Sequence, residues 1–285
     1  MADISTAAVK QFSDTLFHLV QQKGSRLRST VLVKTGVVGE ETSMDQIGSG
    51  TATKKTTRNS DTPISQPNFQ RRWITMYDYE IARLTDKQDL LKMLQNPTSE
   101  FMQTCQWALG RSMDDEIIDA ASGTARTDKT GATNTSLPSA QKVAHSSTGL
   151  TIAKLLAAKE ILDAADADED EERTCALTAG QVTDLLNTTE IKSADYNTVK
   201  ALAAGQIDTF LGFKFKRSQR LDTDGTNRLV LCYQKSGIGL AIAQDITTDV
   251  GVRRDKSLAT QVYACLGIGA TRLEEEKVVE IACTE

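Results

Sequence analysis

Apolar positions along the chain recur with two different periods, and the switch between them marks out the elements. Between residues 3 and 23, Ile4, Ala8, Phe12, Leu16, Leu19 and Val20 recur at helical spacing, and Lys23-Gly24 supplies a stop. That helix has one sticky face and no partner next to it in sequence. It is either core or an arm that docks on a neighbour. From about Arg26 to Arg72 the pattern dissolves into Thr, Ser, Gly and charge, with short strand-like pieces at Val31 to Val33 and Gly36 to Val38. Between Gly48 and Gln70 there is almost nothing to bury. Loops beyond ~12–15 residues in a compact domain are mostly functional or disordered. The tract predicts a long loop or two-stranded flap, ordered by contact with another molecule.

Regularity returns at Trp73. A strand is predicted over Trp73 to Tyr79 and a short helix near Lys87 to Leu94. Asn96-Pro97 then supplies an N-cap with proline at the first helical position. The helix that follows spans 97–121 and stops at Gly123, with Phe101, Met102, Cys105, Leu109, Met113 and Ile117 on one face. At ~1.5 Å per residue it is a rod of roughly 37 Å. A Thr/Ser/Gly loop, 124–149, leads to a helix over Thr151 to Ala165 and a strand over Arg173 to Leu177. Two short helices, Ala179 to Leu186 and Ser193 to Leu202, precede clean alternation at Ile207, Leu211, Phe213 and Phe215. Further strands fit Arg228 to Tyr233 and Ile238 to Ile242. Period two then marks Ile246 to Val252, Val262 to Ile268 and Val279 to Cys283. The order is α+β, with long antiparallel strands towards the C-terminal end.

Composition narrows the class. With 285 residues, 39% apolar and 25% charged, the chain is an ordinary soluble globular protein. A formal charge of −5 gives no global reason to expect nucleic-acid binding. The start, Met1-Ala2-Asp3-Ile4-Ser5, has no secretory pattern, and the longest run free of polar side chains, Gly237 to Ala243, is far short of a membrane span. Charge is uneven, however. Residues 1–72 hold ten Lys/Arg against six Asp/Glu, a net of +4, whereas residues 160–195 hold eleven acids against two bases, a net of −9. Complementary patches on one chain suit a subunit that associates with copies of itself, and equally a monomer.

No catalytic constellation emerges. Cys105, Cys175, Cys232, Cys265 and Cys283 form no Cys-x-x-Cys pair and sit in apolar contexts, as buried reduced thiols do. His18 and His145 stand without a nearby nucleophile or carboxylate in a recognisable spacing. The acidic run Asp163, Asp166, Asp168, Glu169, Asp170, Glu171, Glu172 starts like a calcium loop, but Glu171 stands at the glycine position and Leu177 at the bidentate Glu position. It is read as a solvated helix end. Gly237-Ile238-Gly239 and Gly267-Ile268-Gly269 lack the third glycine and helix of a dinucleotide site. No cofactor and no metal is implied.

Longer segments carry a resemblance. QKGSRLR (22–28), MYDYEIARLTDKQDLLKMLQNPTSEF (76–101), GRSMDDEIIDAASGTA (110–125), SADYNTVKALAAGQIDTFLGFKF (193–215) and ATQVYACLGIGATRLEEEKVVEIACTE (259–285) resemble tailed-bacteriophage major capsid proteins. The likeness covers nearly the whole chain and implies the Hong Kong ninety-seven type fold. It assigns residues 1–30 to an N-terminal arm and 31–75 to an extended loop. A peripheral domain takes 76–151 and 244–285, with spine helix 97–121, and an axial domain takes 152–243. The implied role is a non-enzymatic subunit that forms hexamers and pentamers and closes an icosahedral head around phage DNA, with an encapsulin-type compartment shell as the alternative. An α/β enzyme is the rival from another class.

The same resemblance implies the remaining expectations. Subunit contacts are expected at Arg26 and Arg28 on the arm, Lys54 and Lys55 at the loop tip, and Arg71 and Arg72 at its base. Partners are other copies, a separate scaffolding protein or none, portal and decoration proteins, and packaged DNA through non-specific inner-surface contact, with no membrane. The location is the virion, after assembly in the host cytoplasm. One branch of the family joins a loop lysine to a neighbour's asparagine. Here Lys54 or Lys55 offers the amine, but Asp245 to Glu285 contains no asparagine to accept it. An exposed lysine, with a pKa near ~10.4, is also seldom neutral enough to attack. Boiled particles are therefore expected to run on a denaturing gel as one band near 31.0 kDa. A reductant-resistant ladder of multiples would show the opposite.

Overall fold

The computed structural model describes residues 18–62, 64–86, 88, 98–168, 170–187 and 209–285. The N-terminal helix up to residue 17, the short helix near Lys87 to Leu94, the Asn96-Pro97 cap and the helix at Ser193 to Leu202 lie outside the described residues. Within them, the spine helix spans Thr98–Ser122. Its apolar stripe, Cys105, Leu109, Met113, Ile117, Ile118 and Ala121, is buried. The stripe packs on a long antiparallel hairpin, Ile238–Arg253 and Ala259–Arg272, through Leu240, Ile242, Val262, Ala264, Leu266 and Ile268. That hairpin is the middle of a four-stranded sheet. Leu32–Thr35 lies parallel on one side and Tyr77–Thr85 antiparallel on the other.

A second core lies beyond. Helices Ile152–Ala164 and Ala179–Asn187 cover a sheet of Arg173–Leu177, Phe213–Arg217, Asn227–Gln234 and Val278–Thr284. Thr151 caps the first helix by accepting from the Lys154 amide. Strand Asn227–Gln234 serves both cores, because successive side chains of a strand point to opposite faces. Val230 and Cys232 face the second core, while Leu231 and Tyr233 face the first.

Two buried charges lock the spine helix, one near its middle and one at its C-terminal end. Asp114 is wholly buried and accepts from Gln22 Nε2 at 2.5 Å, Ser25 Oγ at 2.5 Å, the Arg26 amide at 3.0 and 3.1 Å and the Leu27 amide at 3.1 Å. The turn carrying these donors crosses the helix at Gly110, where a Cβ would stand 2.6 Å from the Gly24 Cα. Only glycine allows that approach. At the C-terminal end, Arg272, 0% exposed, donates to the carbonyls of Ala121, Gly123 and Thr135 at 2.7 to 2.9 Å. It satisfies carbonyls that a helix C-terminus leaves unpaired and places positive charge on the negative end of the dipole.

The pattern reading departs from the structure in several places. Trp73 to Tyr79 is two strands, Phe69–Thr75 and Tyr77–Thr85, which belong to different sheets and change over at Met76. Alternation specifies a strand but not its partner. Gly36 to Val38 is a turn, with Gly36 at φ +72 and one bond from the Val37 amide to the Ile242 carbonyl. The two expected strands Ile238 to Ile242 and Ile246 to Val252 are one strand, Ile238–Arg253, carried through register shifts between Ile242, Gln244 and Thr247. The last strand, Val278–Thr284, pairs with Asn227–Gln234 rather than with the long hairpin.

Replacing Asp114 with Ala leaves several donors of the 22–27 turn without an acceptor. Each such group costs ~1–3 kcal/mol, so a loss of at least about 3 kcal/mol is expected in urea unfolding. Trypsin should then cut at Arg26 or Arg28 faster than it does in the wild type. Stability within about 1 kcal/mol of wild type would sink the idea that this carboxylate anchors the turn.

Candidate interaction surface

Strands Glu41–Ile47 and Phe69–Thr75 pair antiparallel and form a flap. The register sets Ile47 opposite Phe69, Asp45 opposite Arg71, Met44 opposite Arg72 and Ser43 opposite Trp73. Alternation therefore gives Met44, Arg72 and Ile74 one face, and Ile47, Phe69, Asp45, Arg71 and Trp73 the other. Ile74 fixes the first face to the body in a small cluster with Val37 and Ala241. Gly269 permits this crossing, since a Cβ there would stand 2.1 Å from the Thr75 carbonyl oxygen. At the base, Arg126 binds Glu41, the Thr75 hydroxyl at 3.1 Å and the Gly131 carbonyl at 3.2 Å. Beyond Gly48, whose amide donates to the Asn68 carbonyl at 2.7 Å, residues 49–62 are exposed and carry no strand or helix.

The six sequence-predicted contact residues have three different fates. Lys54 and Lys55 stand exposed in the outermost tract. Arg26, Arg28 and Arg71 reach solvent but already hold partners in their own chain. Arg26 Nη1 donates to the Arg217 carbonyl at 2.8 Å, and Arg28 forms a fork with Asp245 at 3.0 and 2.7 Å. Arg71 forms a fork with Asp45 at 2.6 and 2.9 Å and lies over the Trp73 ring. Arg28 holds the Asp245 carboxyl below its ordinary range, and Arg71 does the same to Asp45. Arg72 is placed differently. It is 4% exposed, donates from Nε to the Leu273 carbonyl at 2.8 Å and pairs with Glu275 at 2.7 Å, so it braces the flap from inside.

The sequence reading did not single out Ile47 and Phe69. They face each other across the outer end of the flap, 68% and 70% exposed. Each is a lone apolar residue in a polar tract, and only the register shows that they form a pair.

The acidic run is more engaged than a solvated helix end. Asp163 pairs with Arg173, Glu172 pairs with Lys214, and Glu171 accepts from both the amide and the hydroxyl of Ser236. Asp166, Asp168 and Asp170 are exposed. Among the described residues no group of His, Cys, Asp and Glu could hold a metal ion, and no helix is long and apolar enough to cross a membrane. His18 packs edge-on against Trp107, and His145 lies in an exposed turn. The cysteines are free thiols, four of them buried. Carboxylates line the spine helix. Burial raises the Glu116 pKa, and burial with the charges of Asp222 and Asp115 raises that of Asp119.

A core built twice around one strand, an arm turn clamped to a long helix and a flap standing off the body can be compared with known proteins. A model of a phage capsid protein family matches residues 4–285. This chain belongs to that family. Among solved structures, the capsid of the cyanophage P-SCSP1u matches with a TM-score of 0.76 at 16% identity, covering 100% of this chain and 95% of that one. A native GTA particle capsid matches at 0.75 and 12% identity, covering 100% and 98%, and Mycobacterium phage Che8 at 0.70 and 16%, covering 96% of each. The curated protein sequences contain no match. The fold is the Hong Kong ninety-seven type, and the chain is a major capsid protein of a phage head shell.

The capsid subunit's charges predict opposite responses at two aspartates. Asp119, raised in the fold, binds its proton more tightly there than in the unfolded chain. Its ionised form destabilises at neutral pH, and the penalty disappears in acid. Asp245, lowered in the fold, contributes stability above the ordinary aspartate pKa of 3.8, and that contribution is lost as the pH falls through its folded value. Asp119→Asn is expected to raise the urea midpoint at neutral pH and Asp245→Asn to lower it. Each change should be no more than about 0.5 kcal/mol, the usual range at a surface. Shifts of the same sign would refute the assignment.

Proposed function

We propose that this capsid protein assembles as hexamers and pentamers into an icosahedral shell around phage genomic DNA, and that it acts without catalysing a reaction. One observation carries this reading: among the described residues, Ile47, Phe69 and the flap tip between them lie exposed, with no part of their own chain covering them. Burying an Ile or Phe side chain fully contributes ~1.5–3 kcal/mol, and exposing both at a flap end is costly unless a neighbour covers them. Lys54 and Lys55 extend the same surface. Many such contacts, each weak, add through multivalency once the shell closes. Arg26, Arg28 and Arg71 contribute at the edges while retaining their internal partners, and Arg72 contributes only by holding the flap at its angle.

The arm is proposed as 1–30, the extended loop as 31–75, the peripheral domain as 76–151 with 244–285, and the axial domain as 152–243, with strand Ile238–Arg253 running across the last boundary. A scaffolding protein or none, a portal, decoration proteins and non-specific contact with packaged DNA complete the proposed partners, with assembly in the host cytoplasm.

Replacing residues 48–68 with an Asn-Gly turn tests the reading, since that dipeptide closes a two-residue hairpin. The variant is expected to keep its far-UV spectrum and to unfold within about 1 kcal/mol of wild type, because the tract buries little. It should form no closed shells by negative-stain microscopy. Normal particles from the variant would refute the role given to the flap. Wild-type particles that enclose a protein cargo and no DNA would favour the compartment reading instead.

A further inference from the structure

The long hairpin ends in a strained tip. Residues 254–258 turn the chain between Arg253 and Ala259, and Ser257 and Leu258 stand at φ +49 and +57. Glycine and asparagine visit that left-handed region readily, whereas a bulky residue there is an outlier, and such strain gathers at sites of interaction. Leu258 is 53% exposed. Arg254 and Lys256 are exposed too, with no ion pair among the described residues. Arg253 forks onto Asp255 at 2.7 and 2.6 Å, which cancels its charge. The tip thus offers one apolar side chain and a net charge of +2.

The face of the same sheet that turns away from the spine helix is bare. Directly paired residues share a face. Asp78, Glu80, Ala82 and Leu84 therefore stand beside Gly267, Cys265, Tyr263 and Gln261 of the next strand, and Tyr263 stands beside Asp249. Cys265 and Tyr263 lie on an inner strand and still reach solvent. Leu84 is 48% exposed. Glu80 accepts from the Tyr263 hydroxyl at 3.1 Å, while Asp78 and Asp249 are exposed with no ion pair among the described residues. The face thus offers three carboxylates around a small apolar patch.

We propose that the hairpin tip of one copy seats on this bare sheet face of the next, head to tail. Leu258 covers Leu84 and Ala82, while Arg254 and Lys256 meet Asp78, Glu80 and Asp249. The tip cannot turn back onto its own sheet, because strand pairing holds it near the plane of that sheet. A contact between two different patches repeats around a ring of copies when the rotation closes. An antiparallel sheet can leave one face to water, but water would leave Leu84 and Leu258 uncovered and the strain at 257–258 without a role. The flap tip is also cationic and exposed, yet from Gly48 to Thr62 it has no apolar side chain larger than alanine with which to cover Leu84. The inference rests on the shell reading.

The test exchanges the charges in full-length chains. Arg254→Glu with Lys256→Glu, and separately Asp78→Lys with Asp249→Lys, should leave the urea midpoint at the wild-type value. Each pair should weaken association at least about tenfold in analytical ultracentrifugation. Chains carrying all four substitutions should recover most of that loss. If all four associate as weakly as either pair, this contact alone is overturned. Recovery obtained instead by joining Lys54→Glu and Lys55→Glu to the sheet substitutions would give the face to the flap and overturn it too. A wild-type chain that stays monomeric would overturn the shell reading as well. Leu258→Asn supplies a second readout: the urea midpoint should hold or rise, because asparagine tolerates the backbone there, while association falls. Unchanged association would count against the tip.

Discussion

The buried carboxylate of Asp114 is the fixed point on which the outer parts of this subunit depend. Four residues of the arm turn donate to it, two of them from the backbone, and the turn can reach it only because Gly24 and Gly110 let two backbones touch. An unpaired buried carboxylate is costly, and so are unpaired buried amides, so each side holds the other in place. The turn sets where the chain enters strand Leu32–Thr35, which lies parallel to the start of the long hairpin. That strand leads directly into the flap. An error at Asp114 would therefore propagate along strand Leu32–Thr35 into the flap.

Much of the fold is visible in a one-dimensional pattern, because period is a local property. The spine helix is found to within a residue of the span Thr98–Ser122, and strand Arg173–Leu177 falls on the residues predicted for it. What the pattern does not carry is pairing. Nothing in Trp73 to Tyr79 marks Met76 as the point where one backbone leaves one sheet for another. Nothing in Val279 to Cys283 distinguishes one sheet from the other. Asp114 left a trace, since a charge sits on an apolar stripe between Met113 and Ile117, but a trace of that kind does not name its partners.

The interaction surface was legible to a similar depth. Lys54 and Lys55 are exposed where the polar tract leads one to look. Arg28, Arg71 and Arg72 differ from one another through burial and partner, and those depend on register. A basic residue two positions from another lies on the same face of a strand, whereas its immediate neighbour lies on the opposite face. Hence Arg71 reaches solvent and Arg72 does not.

The changeover at Met76 has a mechanical consequence. Flap strand Phe69–Thr75 and sheet strand Tyr77–Thr85 are one covalent line, with nine register pairs tying its far half to Ala259–Arg272. A pull on the flap along that line reaches those pairs in shear, loading them together rather than one after another as in peeling. Side-by-side loading resists far more force than sequential rupture of the same bonds. The flap is thus rooted like a tendon, and tension gathered at its end is delivered into the sheet that lies against the spine helix.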